Sequence, residues 1–129
     1  MSRRHRPEDS IQRAVCQHLR IRGVHGLLFW HTPNGGKRRP IEAAIMKSLG
    51  VRAGVADLIL LHTGRMFALE LKAEDGRPTV AQMQFISDFN AAVAPNGGAC
   101  IAHGLDRALR VLETWGLLRG ERANRGTPQ

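Results

Sequence analysis

The segment from Val55 to Gly76, VADLILLHTGRMFALELKAEDG, restricts the possible folds more than any other part of the sequence. Two apolar runs flank a Thr63-Gly64 pair, which is the pattern of a β-hairpin. Side chains of a strand alternate between its two faces, and the run from Leu58 to Leu61 is apolar on both. Such strands must be covered on both sides by other elements. The acidic and basic residues at the ends of these core strands therefore need an explanation.

The rest of the chain alternates between helical and strand patterns. Apolar spacing predicts helices over residues 8–22, 41–50, 79–93 and 105–118, and strands over residues 28–31 and 97–103. With the hairpin, this order predicts one α/β domain over residues 8–118, with a central mixed β-sheet flanked by α-helices. Residues 1–7 are predicted to form a flexible basic arm and residues 119–129 a disordered tail. Trp30 and Trp115 are expected in the core.

The charge balance indicates the class of partner. Basic residues outnumber acidic ones by 19 to 11, which gives a net charge of +8. A polyanion suits this charge, and nucleic acid is the most common one. No apolar run approaches the roughly 18 residues of a membrane span, and the basic start leads into no apolar segment, so neither a membrane helix nor a signal peptide is expected. Cys16 and Cys100 lack metal-ligand spacing and are expected as core residues in a reducing compartment, the cytoplasm.

The register of the hairpin brings two carboxylates together. If Thr63 and Gly64 form a two-residue turn, the numbers of paired residues sum to 127 and Asp57 lies opposite Glu70. Directly opposed residues have Cβ atoms about 4.5–5.5 Å apart, and Lys72 lies on the same face as Glu70. Alternatively, Glu70 and Lys72 are an exposed ion pair and Asp57 only begins a strand.

Two close carboxylates on half-buried strands repel each other, so that one is protonated or a cation lies between them. Oxygen ligands without nearby Cys or His favour a hard ion, Mg²⁺ or Mn²⁺. A lysine beside such an ion can hold a water and contact a phosphate. This combination is typical of an enzyme that hydrolyses phosphodiesters.

A glycine-rich basic loop follows the predicted first strand. Glycines permit close backbone approach, and successive cations suit a DNA backbone, although a solvated basic turn is an equal alternative. The candidate DNA-binding residues of this loop are Asn34, Gly35, Gly36, Lys37, Arg38 and Arg39. His31 and His62 are interpreted as polar strand ends.

The order and spacing of several motifs resemble the VRR-NUC (virus-type replication-repair nuclease) family of the PD-(D/E)xK nuclease superfamily. The matching motifs are EDSIQRAV, PNGGKR, GVAD, LELK, TVAQ and LETWG. The chain departs from the family where Ala56 replaces the usual proline, which carries no metal ligand. The resemblance implies a restriction-endonuclease-like fold and a Mg²⁺-dependent deoxyribonuclease, with Mn²⁺ able to substitute and no organic cofactor.

The resemblance also implies roles for individual residues. Asp57, Glu70 and the backbone carbonyl of Leu71 would bind the metal, and Lys72 would position the attacking water. Glu8 would complete the metal site directly or through water; its alternative role is to stabilise the dipole of the first helix. Gln82 would orient Lys72 or the water, and with Thr79 it also matches a capping box.

For substrate and assembly, the resemblance implies branched DNA such as four-way (Holliday) junctions or flaps in DNA repair. It further implies a phage or bacterial enzyme that acts as a homodimer. In-line attack would leave a 5′-phosphate and a 3′-hydroxyl. Two alternatives remain: a nuclease of the same fold that cuts linear duplex DNA, and a non-catalytic basic nucleic-acid-binding protein.

Overall fold

The computed structural model describes residues 5–33 and 39–120. Within them the elements follow the predicted alternation of helices and strands. They are α1 (His5–Arg22), β1 (Leu28–His31), α2 (Pro40–Ser48), β2 (Leu58–His62), β3 (Arg65–Lys72), α3 (Val80–Val93), β4 (Gly98–His103) and α4 (Leu105–Thr114). None of the described helices is long and apolar enough to cross a membrane.

The four strands form one mixed sheet in the order β1-β2-β3-β4. β2 is antiparallel to β1 and β3, whereas β3 and β4 are parallel. His62 pairs with Arg65 and Leu58 with Leu69, so the predicted register is confirmed. Thr63 and Gly64 both have positive φ, 49° and 80°, as a two-residue type I′ turn requires. The predicted α/β class with a mixed sheet is therefore confirmed.

Helices cover both faces of the sheet, as the apolar hairpin predicted. On one face, α1 and α4 pack against Leu58, Leu60 and their neighbours in the larger part of the core. On the other face, Ile59 and Ala68 pack against aromatic residues of α3. The two sides of the hairpin thus belong to two separate apolar clusters, which hold β2 and β3 rigidly in the middle of the domain.

Three features of the chain termini differ from the prediction. α1 begins at His5, three residues early, within the segment expected as a basic arm. α4 ends at Thr114 instead of 118, because Gly116 (φ 79°) begins a Schellman motif in which the Leu117 N–H donates to Leu112. Arg119 is fixed against α1 by its N–H, which donates to the Arg22 carbonyl at 2.9 Å. The remainder of the predicted arm, residues 1–4, and of the predicted tail, residues 121–129, lies outside the described residues.

The two tryptophans have different environments. Trp115 packs against the core, with its ring centroid 4.9 Å from that of Phe67. The prediction of a core position for Trp30 is wrong, since 43% of this residue is exposed. Trp30 lies in β1, which is an edge strand of the sheet and is less covered than β2 or β3.

Candidate active site

The start of β2, the ends of β1 and β3 and the starts of α1 and α3 meet around a cavity of about 350 Å³. All of the side chains predicted to be catalytic line this cavity, together with residues that the sequence did not single out. The full lining is Glu8, Asp9, Gln12, His31, Pro33, Asp57, Glu70, Lys72 and Gln82. Asp57, Glu70 and Lys72 come from the hairpin. The others come from α1 and α3 and, for His31 and Pro33, from the end of β1 and the residues after it.

Asp57 is held between β1 and β3. Its Oδ2 accepts a hydrogen bond from the Leu71 N–H at 2.8 Å, and its carbonyl accepts one from the Thr32 N–H at 2.8 Å. Nδ1 of His31 lies 2.8 Å from the same carbonyl, so it must carry the proton that it donates. Burial raises the pKa of Asp57, and the Leu71 N–H opposes this shift. The backbone thus fixes the carboxylate at the mouth of the hairpin.

Glu70 is almost fully buried, with 3% of its surface exposed. Its Oε2 accepts a hydrogen bond from Gln82 Nε2 at 2.9 Å, and Lys72 Nζ lies 3.8 Å from the same oxygen. Its Oε1 is buried and has no hydrogen-bond partner among the described residues. Burial, followed by the negative charge of Asp57, raises the pKa of Glu70 to about 8, although Lys72 opposes the shift. The predicted conflict between the two carboxylates is therefore present, and a positive ligand would relieve it.

Gln82 forms the predicted capping box and also reaches the cavity, while its role in orienting Lys72 or the water stays a prediction. Thr79 Oγ1 accepts from the Gln82 N–H at 3.1 Å, and Gln82 Oε1 accepts from the Thr79 N–H at 2.9 Å, which completes a capping box. The remaining Nε2 is free to donate to Glu70. The start of α3 therefore holds the buried carboxylate in place.

Gly54 allows α3 to approach so closely, and sequence reasoning missed it. A Cβ at this position would lie 2.4 Å from the backbone C and O of Ala81, and the residue has φ of +80°. A side chain at residue 54 would push the capping box of α3 away from Glu70. The signal was present in the sequence as the glycine of GVAD, two residues before Ala56.

Lys72 and Glu8 are the other two charged residues predicted to be catalytic, and both line the cavity. Lys72 is 8% exposed, so the alternative of a solvated surface pair with Glu70 is wrong. Glu8 reaches the cavity from α1, and its charge contributes to the raised pKa of both Asp57 and Glu70. Gln12 lies one turn further along α1 and was not predicted. Its sequence signal is its position four residues after Glu8, on the same side of the helix.

The donor atoms fit a hard cation. Among residues 5–33 and 39–120, no three His, Cys, Asp or Glu side chains form a metal-binding group. Asp57 and Glu70 would supply the carboxylates, and the predicted contribution of Glu8, directly or through water, stays a prediction. Mg²⁺ suits such a site, since it is usually held by one or two carboxylates, several waters and substrate phosphates. Ligation by the Leu71 carbonyl stays a prediction; the Leu71 N–H is already bound to Asp57.

Only the end of the predicted DNA-binding loop is described. Asn34, Gly35, Gly36, Lys37 and Arg38 lie outside the described residues. Arg39 is exposed, and its Nη2 lies 3.3 Å from Glu42 Oε2 at the start of α2. Pro33, the residue before the gap, lines the cavity. The basic segment 34–39 therefore follows a residue of the cavity directly in the sequence.

Comparison with known proteins agrees with this architecture. A scan against protein-family models gives no match, and no curated protein matches the chain. A solved structure described as "VRR_NUC domain protein" superposes with a TM-score of 0.67 at 24% sequence identity, over 84% of this chain and 87% of that chain. The resemblance inferred from the motifs is confirmed at the level of structure: this chain has the fold of a VRR_NUC domain protein.

Proposed function

We propose that this chain is a metal-dependent DNA nuclease of the VRR-NUC type that hydrolyses phosphodiester bonds. One observation carries the proposal: Asp57, Glu70 and Lys72 converge on one cavity, where Glu70 is buried and has an unpartnered oxygen. A structural ion pair has no need of a second carboxylate opposite the first. A site that hydrolyses phosphodiesters needs both carboxylates, because together they hold a divalent cation while the lysine contacts the reacting groups.

The cation, Mg²⁺ or Mn²⁺, would neutralise the two carboxylates and polarise the scissile phosphate. Residues of the chain would orient the carboxylates and the attacking water. Asp57 is oriented by the Leu71 N–H and Glu70 by Gln82, so that neither has to reorganise during the reaction. Lys72 holds the attacking water and offsets the charge that develops on the phosphate. In-line attack then leaves a 5′-phosphate and a 3′-hydroxyl.

For the substrate we propose branched DNA, such as four-way junctions or flaps. The net charge of +8 and the basic residues that follow Pro33 in the sequence support binding to a DNA backbone. The described part of one copy contains one such cavity, so that cutting both strands of a junction would take a homodimer. Both cysteines are free thiols, in agreement with the proposed cytoplasmic location of a phage or bacterial repair enzyme.

Cleavage of end-labelled four-way, flapped and linear DNA, with Mg²⁺ or with chelator, tests the proposal. We expect metal-dependent cleavage of the branched DNAs by the wild type and none by Lys72→Ala or Asp57→Asn. Asp106→Asn is the matched control for Asp57→Asn, because Asp106 is exposed in the first turn of α4.

The same variants separate the alternatives when DNA binding is measured by gel shift. Asp57→Asn should bind DNA at least as tightly as the wild type, since it removes a negative charge without removing a cation. Binding without cleavage in either Mg²⁺ or Mn²⁺ would contradict a nuclease and support a non-catalytic DNA-binding protein. Equal cleavage of linear and branched DNA would contradict the proposed substrate and leave the nuclease reaction intact.

A further inference from the structure

Two buried side-chain oxygens lack a hydrogen-bond partner, and they share one cavity. Within the described residues, Gln12 Oε1 and Glu70 Oε1 are the only buried side-chain nitrogen or oxygen atoms without a partner. Glu70 comes from β3 and Gln12 from α1, yet both residues line the cavity. Buried polar groups are almost always satisfied, so an exception in a native structure indicates a ligand, a water or a functional role. Because both residues line one cavity, one ligand or water could bind both oxygens.

The surroundings of Gln12 do not explain its position. Its Nε2 donates to Cys16 Sγ at 3.2 Å, which is a weak contact along the same helix. An apolar residue at position 12 would cost less folding free energy, because the buried Oε1 of the glutamine has lost its hydrogen bond to water and has no partner among the described residues. Gln12 follows Glu8 by one helical turn, so both side chains extend toward the carboxylates of the hairpin.

We propose that Gln12 is an additional oxygen donor of the cation site, directly or through one water. This inference rests on the proposed function, since it requires a divalent cation between Asp57 and Glu70. An amide oxygen is a common ligand for hard cations. Unlike a further carboxylate, it adds no negative charge to a cavity that already contains Glu8, Asp57 and Glu70. Gln12 thereby connects α1 to the metal and sets the position of the helix relative to the hairpin.

Calorimetric titration with Mn²⁺ tests the role of Gln12 without relying on catalysis. We compare the wild type with Gln12→Leu, Gln12→Glu and Gln17→Leu. Gln17 is exposed on the same helix and provides the matched control for the change to leucine. Loss of a donor or of a residue that orients ligands typically costs about 10- to 100-fold in metal affinity. We therefore expect Gln12→Leu to bind Mn²⁺ at least about 10-fold more weakly, and Gln17→Leu to bind as the wild type does.

Gln12→Glu keeps an oxygen at the same position and adds a charge, so that we expect it to bind Mn²⁺ at least as tightly as the wild type. This variant decides the question if Gln12→Leu does not fold. Unfolding in chelator provides the second readout, where Gln12→Leu should be as stable as the wild type because it removes an unsatisfied oxygen. Wild-type Mn²⁺ affinity in Gln12→Leu, or weakened affinity in Gln12→Glu, would overturn the inference and leave the proposed nuclease intact. Absence of Mn²⁺ binding by the wild type would overturn both.

Discussion

Replacing Glu70 by glutamine isolates the energetic cost of the buried carboxylate. The residue is 3% exposed, and in the folded protein its pKa rises from 4.5 to about 8, because of burial first and of Asp57 second. In the unfolded chain Glu70 ionises near its ordinary value, so between these two limits only the folded state keeps the proton. The contribution of Glu70 to the free energy of unfolding is therefore largest below pH 4.5, and it is lost as the pH rises to about 8.

The size of the effect follows from the width of this window. Each pH unit between the two pKa values removes about 1.4 kcal/mol of folding free energy. Between roughly pH 5.5 and 7.5 the wild type should lose about 3 kcal/mol from Glu70 alone. Glu70→Gln has no proton to lose there, and its side-chain oxygen can still accept the hydrogen bond from Gln82. The variant should therefore become more stable than the wild type as the pH rises.

Urea unfolding with chelator at several pH values measures the difference in folding free energy between wild type and Glu70→Gln. Taking the difference removes contributions from groups that titrate equally in both. Glu42→Gln is the control, because Glu42 is exposed and, among the described residues, forms its ion pair with the exposed Arg39. The difference in folding free energy between wild type and Glu42→Gln should therefore change little over the same pH range. Parallel curves for the wild type and Glu70→Gln would mean that Glu70 is ionised throughout, and the argument from burial would be wrong.

Three further predictions concern the close approach of α3, the buried Arg22 and the proposed cation. Gly54→Ala should lower the free energy of unfolding in urea by at least about 2 kcal/mol, because a Cβ there clashes with α3 and the backbone has a positive φ. Gly50→Ala is the control: Gly50 also has a positive φ but has no described atom within 4 Å of the added Cβ, so the variant should lose only about 1 kcal/mol. Arg22→Met should cost about 2 kcal/mol in the same assay, since it removes the hydrogen bonds that the buried guanidinium donates to Glu113 and to the Arg119 carbonyl. In thermal melts, Mn²⁺ should raise the melting temperature more near pH 8 than near pH 6, because at the lower pH the cation must displace the proton of Glu70. Equal increases in melting temperature at both pH values would contradict a metal at this carboxylate.

Much of the site could be predicted because the hairpin is a local structure. A type I′ turn at Thr63-Gly64 fixes which residues pair, and the period of two then fixes the face of each side chain. Asp57 and Glu70 therefore meet for reasons contained within a short stretch of sequence. The capping box of Thr79 and Gln82 was also readable, because it is defined by residues three apart.

Other features depend on how distant elements pack. The exposure of Trp30 follows from the position of β1 at the sheet edge, which its own apolar run cannot reveal. The place of Gln12 depends on the packing of α1 against the hairpin, and the reach of Gln82 depends on the close approach that Gly54 permits. These contacts join residues that are far apart in the chain, and no local periodicity encodes the distance between them.

The sequence by itself thus determined the α/β class, the register of the hairpin and the pair of carboxylates at its end. Only the tertiary structure decided that Glu70 and Lys72 are buried, that Glu70 holds its proton to about pH 8, and that Gln12 and Glu70 each leave an oxygen unpaired in one cavity. The physical reason is that hydrogen-bond register is set by neighbouring residues, whereas desolvation is set by every element that packs around a group.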